Sequence, residues 1–186
     1  MLFFVAVLLC LVVYCCCCLF FLFLRNLMCY ELPDDKIWMR YAIMLADRAV
    51  SRGEISIGAV LVLDGCIIGE GWNSSITCND PTAHAEVMAL RQAGKVIRNY
   101  RLLHTTLYVT LEPCIMCFGA MIHARIFRLV FGAKNSKGGV LVSHKGSLDR
   151  VMFNHRIVFT GGVLQKLCSN QIAGFFCNKR KKNFSL

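Results

Sequence analysis

Acidic side chains are scarce in this chain: 11 Asp and Glu stand against 21 Lys and Arg, a formal net charge of +10. Such a balance suits a polyanionic partner through steering and counterion release, although composition alone leaves a solvated basic surface equally open. Internal repeats are lacking, which excludes a solenoid or propeller. Low-complexity sequence is absent beyond the first two dozen residues. At 186 residues the chain has room for one globular domain with a real core and not for two of ordinary size.

Charge is missing altogether from Met1 to Leu24, and this stretch carries much of the excess in a hydrophobic content of 56%. It is long enough to cross a membrane as a helix, which needs roughly 20 apolar residues. It also lacks the basic start and small-residue cleavage pattern of a secretory signal. Residues 1–27 are therefore expected to be either a transmembrane-like leader or upstream sequence translated in error, and we favour a working protein that begins at Met28, as residues 28–186. Removing residues 1–27 discards a single charge, Arg25, so an excess of 20 basic over 11 acidic residues stays with that part.

The twelve cysteines do not make a disulfide framework. Five lie in the apolar leader, and the other seven are scattered except for Cys114 and Cys117. An odd, dispersed set fits a reducing compartment with one metal site better than a stapled secreted domain.

After the leader, apolar residues from Ile37 to Ala49 recur at helical spacing behind the acidic pair Asp34 and Asp35. Gly58–Leu63 and Cys66–Trp72 read as strands joined at Asp64-Gly65, a dipeptide suited to a tight hairpin. A helix is predicted from about Ala83 to Ala93 with a stop at Gly94. A strand over Thr105–Thr110, a helix from Pro113 to about Ala124 and a strand over Arg128–Gly132 follow. A short strand over Ile157–Phe159 and a helix over Val163–Phe176, running into the basic cluster Lys179 to Lys182, complete the pattern. Strands alternating with helices in this way predict a three-layer α/β/α domain with a mixed central sheet.

Chemistry concentrates at two predicted helix starts, His84-Ala85-Glu86 and Pro113-Cys114-Ile115-Met116-Cys117. Cys114 and Cys117, at i and i+3, share a helical face, as two thiolates on one metal require. Helix N-termini lower thiol pKa values and favour the thiolate. One nitrogen and two sulfurs leave a tetrahedral zinc with an open fourth position, the mark of a catalytic rather than a structural site, where water is acidified toward neutrality. Glu86 is placed to carry protons between water, a ring nitrogen and a departing amine. Alone, the Cys-x-x-Cys would equally suit a redox pair or half a zinc ribbon, but no second pair is present. Together and in this order the two elements form the signature of the zinc base deaminases.

Several further stretches resemble the bacterial tRNA-specific adenosine deaminases of the cytidine deaminase superfamily: Ile68-Gly-Glu-Gly-Trp-Asn73, Asp80-Pro-Thr-Ala-His-Ala-Glu86, Thr106-Leu-Tyr-Val-Thr-Leu-Glu-Pro-Cys114 and Gly119-Ala-Met-Ile-His-Ala-Arg125. The resemblance spans about Lys36 to Lys182. It implies a cytidine-deaminase-like fold, a cytoplasmic homodimer, one Zn2+ per subunit on His84, Cys114 and Cys117, proton transfer by Glu86, and conversion of adenosine to inosine at the wobble position of a tRNA anticodon loop. It further implies that Asn73 touches the purine, that Ile57, Ala85 and Leu111 wall the base pocket, that Ala133 and Asn135 meet the target ribose, and that Phe176, Lys179 and Arg180 grip the anticodon loop. Arg98, Arg101, Lys134 and Lys137 are candidates for phosphate contacts. Ser56 stands where the family usually has proline, and Asn135 where it usually has aspartate, a change expected to relax discrimination between RNA and DNA. The rivals are a deaminase of free guanine or cytosine bases or nucleosides, which would not need the basic C-terminal helix, and a membrane-anchored, non-catalytic nucleic-acid-binding module.

Overall fold

The computed structural model describes residues 34–144 and 153–184. The apolar leader and the boundary expected at Met28 lie outside the described residues. Within the unit Asp34–Leu186 the element order is α1 (Asp35–Ser51), β1 (Gly58–Leu63), β2 (Cys66–Trp72), α2 (Ala85–Ile97), β3 (Thr106–Leu111), α3 (Ile115–Ala124), β4 (Arg128–Ala133), β5 (Val158–Gly161) and α4 (Gln165–Phe184). The strands form one mixed sheet in the order β2-β1-β3-β4-β5. β1 is antiparallel to β2 and β3, whereas β3, β4 and β5 run parallel.

Residue alternation along the central strands produces the three layers, because successive side chains point to opposite faces. Ala59, Leu61, Leu107, Val109, Leu129 and Phe131 pack with Ala85, Ala89, Cys117, Phe118 and Met121 of α2 and α3. Val60, Val62, Tyr108 and Val130 pack on the other face with Met39, Ala42 and Leu45 of α1 and with Cys168 of α4. Strands covered on both faces carry near-continuous apolar runs, as Gly58-Ala-Val-Leu-Val-Leu63 does. This is the α/β/α arrangement expected from the sequence.

β2 brings α2 unusually close through two bare positions. A Cβ on Gly71 would lie 2.0 Å from the carbonyl oxygen of Ala85, and one on Gly69 would lie 2.3 Å from that of Ala89. Only glycine permits this approach of helix backbone to strand. The first turn of α2, with His84 and Glu86, is thereby seated directly against the strand.

Two helix ends differ from expectation. α2 does not stop at Gly94 but continues to Ile97, and it ends at Arg98, whose left-handed backbone (φ 52°) returns its N–H to the Gly94 carbonyl. Gly94 therefore serves as the acceptor for the cap rather than as the cap itself. α4 runs past Phe176 through the basic cluster to Phe184, because the lysines and arginine are good helix formers and nothing breaks the turn. All six cysteines of the described residues are free thiols. None of the described helices is long and apolar enough to cross a membrane.

Asp35 ties the α1 end of the fold to the sheet. Its carboxylate accepts a bidentate pair from Arg128 (2.8 and 2.8 Å) and the hydroxyl proton of Tyr108 (3.0 Å). Burial alone would raise its pKa, but the hydrogen bonds from Arg128 and Tyr108 and the guanidinium charge outweigh that and hold it below 3.8. A depressed folded pKa stabilises the native state above the unfolded value and ceases to do so as pH falls through the folded one. The Asp35→Asn variant should thus melt below the parent near neutral pH, with the gap closing below about pH 4 in thermal scans. A gap independent of pH would refute the assignment.

Candidate active site

Both chemistry-bearing segments are N-caps, and neither caps its own helix by a side chain. His84 precedes α2 in extended conformation (φ −73°, ψ 155°), and Cys114 precedes α3 likewise (φ −79°, ψ 172°). Neither side chain bonds the amides of its helix. The backbones still initiate the helices, His84 O accepting from Met88 N (3.0 Å) and Cys114 O from Phe118 N (2.9 Å). The side chains are left free to face one another.

The turn before α2 is fixed by Asp80, which accepts from Thr82 N (2.7 Å) and from Arg91 of α2 (3.2 Å). Pro113 sets the approach to α3, because a residue preceding proline is driven into extended backbone. His84 Nδ1 lies 3.4 Å from Cys117 Sγ and 3.7 Å from Cys114 Sγ, and the three ligand atoms lie within 4.8 Å of one another. Nitrogen and sulfur donors on a tetrahedral zinc stand about 3.5 Å apart, given Zn–N near 2.0 Å and Zn–S near 2.3 Å. The donor set and its spacing therefore fit zinc.

The two thiols share a hydrogen bond that splits their acidities, whereas zinc binding takes both as thiolates. Cys114 is brought down to about 4, chiefly by the hydrogen bond from Cys117 and further by His84, against the effect of burial. The same hydrogen bond pushes Cys117 up. Glu86, in the first turn of α2, is only 4% exposed. Burial raises its carboxyl to about 6, the negative charge of Cys114 adding to this while its own backbone amide, His84 and Cys117 oppose it. A carboxyl poised near neutrality can both take and give a proton at working pH.

The other expected site residues fall into separate places. Asn73, 3% exposed, is held by Ile57 O (3.1 Å from its N–H), while Ser74 N bonds Ala83 O (2.9 Å), so the end of β2 lies beside the His84 turn. Ile57 and Ala85 share the apolar cluster of Cys117. Leu111 and Ala133, paired in register across β3 and β4, pack on the α1 face instead. Asn135 sits in the loop after β4 with its side chain turned inward: Oδ1 accepts from Lys137 N (3.3 Å) and Gly138 N (3.2 Å), and Nδ2 donates to Glu112 O (3.5 Å). Phe176, Lys179 and Arg180 lie on exposed turns of α4. Ser56 is fully buried with its hydroxyl unpartnered, a cost on the order of 1–3 kcal/mol.

Two buried carboxylates escaped the sequence reading. Glu54, fully buried, accepts from Asn73 Nδ2 (3.1 Å) and Thr77 N (2.7 Å) and so fixes which end of the Asn73 carboxamide is free. Glu112, 1% exposed, binds the loop after β4. No spacing pattern marks Glu54. Glu112 was visible only as part of the Leu-Glu-Pro-Cys stretch.

A basic and aromatic surface flanks the β2 end of the site. The Arg48 and Arg52 guanidiniums lie 5.8 and 5.0 Å from the centroid of Trp72, and Lys179 Nζ lies 5.8 Å from that of Phe175. A groove of about 510 Å³ between the end of α1 and α4 is lined by Val50, Gly53, Phe175, Asn178, Lys179 and Lys181.

Comparison with known proteins agrees with this geometry. Residues 32–133 match the cytidine and deoxycytidylate deaminase zinc-binding region. The tRNA-specific adenosine deaminase of Haemophilus influenzae is 54% identical over 149 residues, covering 80% of this chain and 86% of its own. A solved structure from work on A-to-I editing by tRNA:A34 deaminases at the wobble position superposes with a TM-score of 0.69 at 39% identity, covering 72% of this chain and 97% of that one. Guanine deaminase from Bacillus subtilis gives a TM-score of 0.53 at 32% identity, covering 77% and 92%. The chain belongs to the cytidine and deoxycytidylate deaminase zinc-binding family. Within that family it is grouped with the tRNA-specific adenosine deaminases, and it takes one zinc per subunit.

Removing one donor should be felt in metal content and fold together, since metal binding and folding are coupled. Cys117→Ala is expected to bind well under one zinc per chain by atomic absorption and to melt at lower temperature than the parent. A variant that retains full zinc would show that Cys117 is no ligand.

Proposed function

We propose that the protein hydrolyses adenosine to inosine at the wobble position of tRNA anticodons, with zinc held by His84 Nδ1 and the thiolates of Cys114 and Cys117. The observation that carries this reading is the buried Glu86 carboxyl beside a His/Cys/Cys group of zinc spacing, in a chain 54% identical to a tRNA-specific adenosine deaminase. Zinc in such a site acts as a Lewis acid that brings the pKa of water to about 7. Glu86 then accepts the proton of the attacking water on its carboxylate and delivers it to a ring nitrogen of the purine; it next takes the proton of the new hydroxyl on the attacked carbon and passes it to the amine, which leaves as ammonia. Water and adenosine go in, inosine and ammonia come out, and Glu86 ends as it began.

Asn73, oriented by Glu54, contacts the base. Ile57 and Ala85 shape the pocket on the α2 side. The anticodon loop suits this site because its nucleotides are already unpaired, so presenting one base costs little. The groove between α1 and α4, with Phe176, Lys179 and Arg180 beside it, combines cations with aromatic faces as single-stranded RNA binding requires. A deaminase of free bases would have no use for that surface, which supports the tRNA reading beside the 54% identity to a tRNA-specific adenosine deaminase. The enzyme works in the cytoplasm as a homodimer. A groove between α2 and α3 lined by Val87, Leu90, Tyr100, Leu102 and Ala120, with Tyr100 69% exposed at its rim, supports association through that face.

In an inosine assay of the full chain with tRNA, the parent should convert the wobble adenosine. Glu86→Gln should keep its zinc and lose activity by about 10²–10⁴-fold. Undiminished activity of that variant, or no inosine from the parent, would sink the reading. Asn135 satisfies its loop without offering a charge, so the protein should discriminate RNA from DNA less than its Asn135→Asp variant does. Deamination rates on matched RNA and DNA hairpins test this, and equal preference in the two proteins would refute it.

A further inference from the structure

Glu112 lies two residues before Cys114, and its carboxylate gathers residues 135 and 141–143 of the segment that follows β4. Oε1 accepts the amides of Leu141 (3.0 Å), Val142 (2.7 Å) and Ser143 (3.0 Å). Oε2 accepts the amide of Asn135 (3.0 Å) and the hydroxyl of Ser143. A concave ring of backbone amides of this kind ordinarily receives an external anion. Here the anion belongs to the chain itself.

The loop is also drawn onto the segment that carries the thiols. Val140 N donates to Pro113 O (3.3 Å), and Val140 and Leu141 pack in the cluster that holds Cys117. Gly139 lets the carboxyl approach, since a Cβ there would lie 2.4 Å from Glu112 Cδ. On the outer side of the same loop, Lys134 and Lys137 are exposed. A buried carboxylate is a poor substitute for an apolar side chain as packing, so its value lies in the direction of the bonds it accepts.

We propose that Glu112 is a positioning residue for RNA binding: by clasping residues 134–143 against the Pro113-Cys114 segment, it fixes where Lys134 and Lys137 meet the phosphates next to the edited nucleotide. The inference rests on the tRNA deaminase reading and adds to it a residue that touches neither metal nor base. Glu112 acts on affinity, through the two lysines, and not on the chemical step.

The test is a cycle on the full chain with an anticodon stem-loop RNA. Glu112→Gln keeps the size but turns an amide donor toward backbone N–H groups. It should keep one zinc per chain and a kcat within about twofold, while KM rises about tenfold and the salt dependence of RNA binding becomes shallower. Lys134→Ala/Lys137→Ala should raise KM similarly. Combining the two lesions should add little to either, because the lysines without the clasp are already misplaced. Hydrogen exchange should quicken in residues 134–143 and stay unchanged in α3.

Loss of zinc, a fall in kcat at unchanged KM, or fully additive effects on KM would overturn the proposal. Should Glu112→Gln fail to fold, Gly139→Ala pushes the loop off an intact carboxylate and is scored by the same outcomes. If the parent makes no inosine, the underlying reading fails. The exchange pattern and the salt dependence of RNA binding still decide the clasp in that case.

Discussion

The structure depends on one convergence: the N-termini of α2 and α3 meet, and the residue at each tip spends its side chain on the other rather than on its own helix. His84 and Cys114 occupy positions where a serine or aspartate would ordinarily cap the helix, and both decline that role. What they supply instead is an imidazole and a thiol within 3.7 Å, with Cys117 one turn further along. The partial positive charge of both helix ends favours anionic sulfur at the same point. Sheet order, close helix seating and the proline before Cys114 all serve to keep these tips in register.

Three buried carboxylates show how one residue type yields different functions by its surroundings. Glu54 and Glu112 are ringed by amide and hydroxyl donors, which overcome burial and keep them ionised, Glu112 at about 2. They are tethers. Glu86 is buried with too few donors to offset the loss of water, and it rises to about 6. The fold thus surrounds its proton carrier with scarcity and its tethers with abundance, and the difference in donors separates chemistry from architecture.

Much of this was legible in the chain because the signals are local. The hairpin of β1 and β2 follows from Asp64-Gly65 between apolar runs, and the metal group follows from two short motifs at helix starts. What escaped reading is held by long-range contacts. The partnership of Glu54 with Asn73 joins residues 19 apart, and Glu112 meets amides up to 31 positions away. Which face Leu111 and Ala133 take depends on strand register, which the sequence does not print. Gly94 is no stop because a glycine in a helix can be a passenger, and α4 outruns the expected end at Phe176 because the basic residues beyond it are themselves helix formers.

Gly69 and Gly71 in β2 deserve a different reading from the usual one of pliancy. Their bareness sets a height: it lets the backbone of α2 rest on the strand itself. The strand therefore works as a gauge block beneath the imidazole, and any substituent there would lift the histidine away from the sulfurs while leaving every reactive group intact. Inactivation of this enzyme can accordingly originate in a residue with no functional group.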